Sequence, residues 1–331
     1  MNELRAIVDA LLAPNAPPAV LATLVTVEGS SYRRPGARLL VTQEGRRLGS
    51  ISGGCLEADV VARAVQIRTT GQPATVTYDT TSENDLIWGV GLGCHGIVRV
   101  LLESVPPRPA WATALAQSFA RRRPTALAVR YGTANPEDWG TQLASPGDCA
   151  DPEHLFLDLI PPPVALTIFG AGDDAQPLAR LASELGWQVT VADPRPEFAT
   201  IARFPGVHTC VVAPAEDLVR QVAPGSDTLT VVMTHHYVHD VPLLRDLLNR
   251  PLAYLGLLGP RKRAEKILAD LARGGTVISD QQRAQLHAPV GLDLGADAPS
   301  EVALAIIAEM LATLRRRDAR PLRERTQPIH E

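Results

Sequence analysis

Two glycine-rich stretches each place a cysteine where it could do chemistry. The first, GSISGGCLEADV at residues 49–60, runs through Gly53 and Gly54 to Cys55 and then into a helix-compatible stretch. If that helix begins near Gly54, its unsatisfied N–H groups and positive dipole end converge on the sulfur and stabilise a thiolate. The glycines would also let the backbone approach a ligand closely. The alternative is a small buried residue packed at a strand–helix corner.

The second stretch is GVGLGCHG, residues 89–96, which holds Gly93, Cys94 and His95. A loop this rich in glycine loses much conformational entropy on ordering, which packing alone rarely justifies, so we expect it to be functional. His95 could add a donor or a ligand. The alternative is a wide turn with an incidental thiol and a surface histidine.

Arginines precede both cysteine stretches. The segment SSYRRPGARLL, residues 30–40, contains Arg33, Arg34 and Arg38. Guanidinium groups bind carboxylates and phosphates well, so these side chains could hold an anionic ligand. The alternative is a β-turn around Pro35 with solvated arginines.

The second half of the chain opens with a dinucleotide-like pattern at residues 168–195. A strand, the turn Gly170-Ala171-Gly172, a helix, a second strand and Asp193 follow one another in the order typical of a Rossmann fold. However, Asp173 and Asp174 stand where a diphosphate would dock, and their charge would repel it. The pattern therefore predicts a Rossmann-like fold but not ordinary NAD binding; the carboxylate pair could instead bind a metal or a polar ligand.

Polar residues also follow a later strand, in THHYVHD at residues 234–240. Ligands bind at the carboxyl ends of strands in open α/β sheets, so we expect His235 to contact a ligand from a loop. Pro242 indicates that the next helix starts after the histidines. The alternative is a metal site that uses His235, His239 and Asp240.

Another strand end, in YLGLLGPRKR, carries Gly259 and Arg261. A helix N-terminus with nearby basic side chains can hold an anion. The alternative is a solvated first helical turn.

The pattern of predicted strands and helices that position these residues differs between the two halves of the chain. Three prolines at 161–163 form a stiff hinge, so we predict domains at 1–160 and 161–331. Beyond the hinge, apolar strands alternate with helices, which indicates a parallel sheet covered on both faces. The predicted fold class is α/β: an N-terminal mixed α/β domain, then a Rossmann-like domain that ends in a helix at 299–317. Strands of the first domain are expected at 19–27, 37–42, 46–52, 74–80, 96–103, 125–131 and 154–160.

Composition excludes several classes of protein. The chain has 331 residues, of which 45% are hydrophobic, and a formal net charge of −4, so no extended nucleic-acid-binding surface is expected. No apolar stretch is long enough for a membrane span, and the first residues form an amphipathic helix pattern rather than a signal peptide. The four cysteines include no CxxC pair. We therefore expect free thiols in a reducing cytoplasm.

Taken together, these motifs resemble those of the XdhC/CoxI family, the xanthine dehydrogenase accessory factors. SSYRRPGARLL, GSISGGCLE and GLGCHG look like motifs of its N-terminal domain. The segments at 168–195 and 233–240, YLGLLGPRKR and APVGLDLGADAPSEVALAII look like signatures of its Rossmann domain. The resemblance covers nearly the whole chain.

The resemblance implies a carrier more than a catalyst. Such proteins bind the molybdenum cofactor (molybdopterin), protect it during sulfuration and hand it to the apoenzyme of a xanthine dehydrogenase-type molybdenum hydroxylase. The implied partners are that apoenzyme, a cysteine desulfurase and a second copy of the chain in a homodimer. Cys55 and Cys94 carry over by motif position as groups that could contact molybdenum, carry sulfur or only pack. His95 departs from the glycine common in the family.

The expected contacts to the cofactor come from both domains. Alternatives that the residues leave open are an NAD(P)-dependent oxidoreductase using the glycine turn, a metal-dependent hydrolase using Asp173, Asp174, His235 and His239, and a purely structural scaffold. No nucleic-acid or membrane partner is expected. Besides the two cysteines, the candidate cofactor contacts are Gly53, Gly54, Glu57, Arg34, Arg38, Gly93, His95, Gly170, Gly172, Asp173, Asp193, His235, Gly259 and Arg261.

Overall fold

The chain folds into two units, Met1–Pro162 and Pro163–Glu331, both of mixed α/β structure. A computed structural model describes residues 2–79, 96–151 and 153–326. Of the helices in these ranges, none combines the length and apolar character needed to cross a membrane.

An antiparallel sheet of five strands forms the centre of the first unit, in the order β3-β2-β1-β5-β4. Strand residues alternate between the two faces of a sheet. Val20, Ala22 and Leu24 therefore pack under helix α2, while Leu21 packs against helices α1 and α3. The elements are α1 (Asn2–Leu12), β1 (Ala19–Gly29), β2 (Arg38–Val41), β3 (Arg47–Gly49), α2 (Glu57–Thr70), β4 (Ala74–Asp79), β5 (Gly96–Val105) and α3 (Ala110–Arg121).

A second, smaller antiparallel sheet completes the first unit. Its strands are β6 (Thr125–Arg130), β7 (Gly140–Leu143) and β8 (Leu155–Ile160), in the order β7-β6-β8. No strand is predicted from the sequence between 125–131 and 154–160, where β7 lies. The strand is short, and two of its four residues are exposed, so no apolar alternation marks it.

The second unit is a parallel six-stranded sheet in the order β11-β10-β9-β12-β13-β14, which confirms the predicted Rossmann-like fold. Apolar clusters cover both faces, one formed with α4 and α9 and the other with α5, α6 and α7. The elements are β9 (Ala165–Phe169), α4 (Ala175–Glu184), β10 (Gln188–Asp193), β11 (Thr209–Val212), α5 (Ala215–Val222), β12 (Thr228–Val232), α6 (Tyr237–Leu247), β13 (Tyr254–Leu257), α7 (Arg261–Arg273), α8 (Asp280–Gln285), β14 (Leu286–His287) and α9 (Pro299–Arg315).

Helix α6 begins earlier than the sequence predicted. It starts at Tyr237, and Pro242 lies inside it rather than before it. The missing N–H of a proline leaves one helix carbonyl unpaired, here that of the preceding turn at Val238, which is itself exposed to water. The expectation of a helix that starts after His239 was therefore wrong.

A close backbone contact joins the ends of β9 and β12. Gly170 follows β9 with a φ of +113°, and a Cβ atom there would lie 2.5 Å from the carbonyl oxygen of Met233. Only glycine permits both the left-handed backbone and this approach. The contact fixes the turn at residues 170–174 beside the loop that follows β12.

We expect Gly170→Ala to lower the free energy of unfolding of the second unit by about 2–5 kcal/mol, from about 1–2 kcal/mol of backbone strain and about 1–3 kcal/mol of overpacking. Gly275→Ala is the matched control, because its φ of +88° is similar but nothing lies within 4 Å of its Cβ position. Urea unfolding of both variants measures the difference. Equal losses would contradict the close contact.

Candidate functional site

The cysteine-bearing stretch of the first unit, residues 50–56, is called here the Cys55 segment. It links β3 to α2 without regular structure. Helix α2 begins at Glu57 with Leu56 at its N-cap, so the predicted start near Gly54 is corrected by three residues. Cys55 therefore precedes the helix instead of lying in its first turn. Its thiol is free, half-buried, and packed against the apolar cluster beneath α2.

The buried carboxylate of Glu57 holds this segment in place. It accepts hydrogen bonds from the backbone N–H of Ile51 at 3.1 Å and of Ser52 at 2.9 Å, and from the Ser52 hydroxyl. The Ser52 oxygen in turn accepts from the N–H groups of Gly54 at 3.1 Å and Leu56 at 3.2 Å. One side chain thus organises the donors on both sides of Gly53.

These contacts set the ionisation of Glu57. Burial alone would raise its pKa, but the hydrogen bonds from the Ser52 hydroxyl and from the backbone of Ser52 and Ile51 outweigh burial and lower the pKa. The carboxylate is therefore ionised at neutral pH. Its charge strengthens the bonds that fix the segment.

The outer side of the segment is open and offers hydrogen-bond donors. Gly53 and Gly54 are exposed, and nothing lies within 4 Å of a Cβ atom placed on Gly54, whose φ is +115°. Within the described residues, the backbone N–H groups of Gly53 and Cys55 have no hydrogen-bond partner. Such groups bind oxyanions.

A cleft of about 520 Å³ lies beside the segment. Arg33 and Arg47 bring positive charge to it, and Arg33 forms an ion pair with Glu3, another lining residue. Its further lining comes from Tyr32, Leu39, Gly49, Ser50, Ser52, Gly53, Gly54 and Glu57. The lining thus carries two arginines and two glutamates, and because Arg33 is paired with Glu3, Arg47 is the guanidinium that could meet an anionic group of a small polar ligand.

The other two predicted arginines lie in different surroundings. Arg34 is exposed, whereas Arg38 is only 4% exposed and points to the opposite face of β2 from Leu39. The Arg38 Nη1 donates to Asp158 on β8 at 2.7 Å and to the Gly36 carbonyl at 3.0 Å. Arg38 therefore ties the two sheets of the first unit together, and its predicted role as a cofactor contact has no support from this placement.

The second predicted thiol loop falls outside the described residues. Gly93, Cys94 and His95 all belong to this loop and are therefore not among the residues that the structure describes. Strand β5 begins directly after them at Gly96, opposite Gly29 of β1. The predicted contributions of these three residues stay predictions.

In the second unit, Asp193 is saturated by its own neighbours. Its carboxylate is fully buried and accepts from the Ala171 N–H at 2.7 Å, the Arg195 N–H at 2.9 Å, and Arg195 Nε and Nη2 at 2.8 Å each. Burial opposes ionisation, but the Arg195 guanidinium and the two N–H groups outweigh it and lower the pKa of Asp193. A carboxylate has about four acceptor positions, so little remains for a ribose hydroxyl. Arg195 was not predicted from the sequence, although it stands two residues after Asp193.

The turn residues after β9 form two separate pairs. Asp173 accepts from Arg203 Nη2 at 2.8 Å, while Asp174 contacts His235 Nε2 at 2.6 Å. Gly172 lies in the same turn and is partly exposed. The structure thus brings Gly170, Gly172, the carboxylates and His235 together at one edge of the sheet.

Asp240 has a structural role that was not anticipated from the sequence. Its carboxylate is buried and accepts from the Thr234 hydroxyl and from Arg263 Nε, at 2.5 and 3.0 Å. Within the described ranges no group of three or more His, Cys, Asp or Glu side chains is placed to hold a metal ion. The metal site considered from His235, His239 and Asp240 is therefore not favoured.

The predicted anion site after β13 is only partly formed. Gly259 has a φ of +130°, and a Cβ atom there would lie 3.0 Å from Cδ of Arg263, so glycine is needed for packing. Arg261 is exposed in the first turn of α7. This arrangement fits a solvated helix start as well as a ligand contact.

Comparisons with family models, with other proteins and with solved structures give consistent results. Residues 166–310 match the XdhC Rossmann domain, and residues 13–79 match the XdhC and CoxI family. The chain is 32% identical to a protein of Bacillus subtilis (strain 168) that is named as a probable xanthine dehydrogenase subunit, over 96% of this chain and 99% of that protein. It is 26% identical to the "Molybdenum cofactor insertion chaperone PaoD" of Escherichia coli (strain K12), over 93% of this chain and 86% of PaoD. A crystal structure of a xanthine dehydrogenase from Bacillus halodurans is similar, with 30% identity, a TM-score of 0.81, and coverage of 97% of this chain and 99% of that one.

We expect Glu57→Gln to lower the free energy of unfolding at pH 7 by about 1–3 kcal/mol, because the Ser52 and Ile51 donors lose a charged acceptor. The lowered pKa means that this stabilisation is present above the ordinary value near 4.5 and is lost as pH falls through the folded-state value. Urea unfolding between pH 7 and pH 3 should show the two proteins converging below about pH 4.5. Glu28→Gln, at an exposed position of the same unit, is the control. A constant difference across this range would contradict the assignment.

We expect calorimetric titration with NAD or NADP to show no binding in the micromolar range, because Arg195 and the Ala171 N–H occupy the carboxylate of Asp193. Micromolar binding of either nucleotide would contradict this and would favour the oxidoreductase alternative.

Proposed function

The chain belongs to the XdhC and CoxI family, and from that premise we propose that it binds the molybdenum cofactor and delivers it to a molybdenum hydroxylase of the xanthine dehydrogenase type. The names of two relatives, a molybdenum cofactor insertion chaperone and a xanthine dehydrogenase subunit, support an accessory role in maturation. The observation that carries the proposal is the Cys55 segment, a fixed, glycine-opened backbone that lines a cleft through Ser50, Ser52, Gly53 and Gly54 and continues into a half-buried thiol at Cys55.

The residues at this cleft fit such a ligand. When bound, the molybdenum cofactor supplies an oxo-metal centre, a soft dithiolene and an anionic phosphate. The Gly53 and Cys55 N–H groups would hold oxyanions, and the Arg47 side chain would offset negative charge, whereas Arg33 is already paired with Glu3. The Cys55 sulfur would be the soft ligand of the set; Cys55 follows the cleft-lining Gly54 in the chain and is not itself a lining residue of the cleft. A cleft of about 520 Å³ also falls within the size range of small-molecule sites.

Each residue of the segment has a defined task in this proposal. Glu57 and Ser52 keep the backbone in one conformation before the ligand arrives, which lowers the entropy cost of binding. Gly53 and Gly54 leave space for the ligand above the backbone. Cys55 packs partly against the apolar cluster, so its sulfur is restrained next to the cleft-lining Gly54. The set suits a carrier because it holds a ligand and supplies few groups for its conversion.

The proposal extends to partners and location. The apoenzyme that receives the cofactor is the first partner, and a cysteine desulfurase is the source of sulfur. The chain works as a homodimer in the cytoplasm. The desulfurase, the homodimer and the contribution of Cys94 rest on the family resemblance alone.

We expect the protein, purified after co-expression with the cofactor biosynthesis enzymes, to yield a fluorescent pterin on oxidation. Cys55→Ala should retain at most about a tenth of the wild-type signal, because it removes the soft ligand. Cys149→Ala, which removes an exposed thiol in the same unit, is the matched control and should retain the full signal. The double variant Cys55→Ala/Cys94→Ala tests the second loop.

Two results would count against cofactor binding at this segment. The first is a wild-type protein without pterin, and the second is a Cys55→Ala variant whose pterin content equals that of Cys149→Ala. Circular dichroism and the melting temperature of each variant separate loss of binding from loss of fold.

A further inference from the structure

An aspartate and a histidine form a close pair in the second unit. The Nε2 atom of His235 lies 2.6 Å from Oδ2 of Asp174, and the side chains are 58% and 20% exposed, respectively. Asp174 follows β9 and His235 follows β12, two adjacent parallel strands at the centre of the sheet. The carboxyl ends of such strands are where open α/β sheets bind ligands.

Three local features that disfavour folding meet at this contact. Asp174 stands at the N-cap of α4, but its side chain makes no capping hydrogen bond there. A Cβ atom on Gly172 would lie 2.7 Å from Oδ1 of Asp174, so the carboxylate position excludes larger residues at 172. His235 has a φ of +60°, which is unfavourable for a residue with a Cβ atom. Local costs concentrated at one exposed contact are typical of functional sites.

The pairing determines which ring nitrogen is available. A carboxylate only accepts hydrogen bonds, so the neutral imidazole donates its Nε2–H to Asp174 and keeps a lone pair on Nδ1. Among the described residues, Nδ1 of His235 has no hydrogen-bond partner. The ring therefore offers one restrained, water-accessible proton acceptor.

The surroundings restrict the chemistry of a ligand. The carboxylates of Asp173 and Asp174 disfavour a phosphate at this turn. Asp193 is already saturated by Arg195 and the Ala171 N–H and offers no acceptor to a nucleoside ribose. A ligand here would instead carry a hydroxyl or N–H group and no phosphate.

We propose that Asp174 and His235 form a general-base dyad that acts on a small molecule with an ionisable O–H or N–H group. His235 Nδ1 takes the proton, the electron pair stays on the oxygen or nitrogen of the ligand, and the proton returns when the ligand leaves. Asp174 is the positioning residue, and its charge stabilises the imidazolium. The dyad lies wholly in the second unit, so its failure would leave the proposed role of Cys55 in the first unit untouched.

The test uses p-nitrophenyl acetate, an activated ester that reports on imidazole reactivity. The acetyl group transfers to Nδ1, p-nitrophenolate leaves, and water then releases acetate. The full chain is assayed at pH 8 after its thiols have been alkylated. The rate due to His235 is the difference between the wild type and His235→Asn, which removes the background of the other histidines.

We expect Asp174→Asn to reduce the rate due to His235 at least about fivefold, a conservative bound beside the roughly 10²–10⁴-fold that a positioned base typically contributes to proton transfer. Asparagine keeps an oxygen acceptor for Nε2–H but removes the charge, so the melting temperature should change little. Glu216→Gln removes one exposed carboxylate from the same unit as the control and should keep the wild-type rate within about twofold.

Two outcomes would overturn the dyad. One is a His235→Asn variant that hydrolyses the ester as fast as the wild type. The other is an Asp174→Asn variant whose rate due to His235 is unchanged, whatever its melting temperature; a lowered melting temperature would then make the contact a structural one.

Discussion

The buried carboxylate of Glu57 is the interaction on which the candidate site depends. An ionised carboxylate is costly to bury unless donors surround it, and Glu57 collects the Ser52 hydroxyl and the N–H groups of Ile51 and Ser52. Because those donors lie before Cys55 and Glu57 begins α2, the bonds close the segment into a loop around the cysteine. The N–H groups of Gly53 and Cys55 take no part in these bonds and have no hydrogen-bond partner among the described residues. The same hydrogen bonds to Glu57 and Ser52 therefore hold the segment rigid and leave those two N–H groups available to a ligand.

The second unit also contains buried carboxylates that fix neighbouring loops, but there the consequence for ligand binding is different. Asp193 and Asp240 are buried carboxylates that each bind an arginine, Arg195 and Arg263 respectively. These pairs fix the loops at the carboxyl edge of the parallel sheet. The Asp193–Arg195 pair also occupies the acceptor that a Rossmann fold ordinarily offers to a nucleotide ribose. The fold of a dinucleotide-binding domain is therefore present here with the carboxylate at the end of its second strand already occupied, so the fold by itself does not specify nucleotide binding.

Periodicity and motif order predicted the Rossmann-like unit because its central strands are apolar and its main helices each bury an apolar stripe. Helix α8, which buries no residue, and the two-residue strand β14 carry no such pattern. The start of α2 was misplaced because only the contacts of Glu57 show that residues 53–56 stay outside the helix. The burial of Arg38 could not be predicted, since its partner Asp158 is 120 residues distant in sequence. Arg195 and Ser52 are different, because each lies within five residues of the carboxylate it binds and local capping patterns could have indicated both.

The proposed carrier role depends on contact between the Cys55 sulfur and the molybdenum of the bound cofactor. X-ray absorption at the molybdenum K-edge, on protein purified with its cofactor, measures this most directly. The wild type should show one more sulfur neighbour of molybdenum than Cys55→Ser at equal metal content. The same number of sulfur neighbours in both proteins would contradict that role for Cys55.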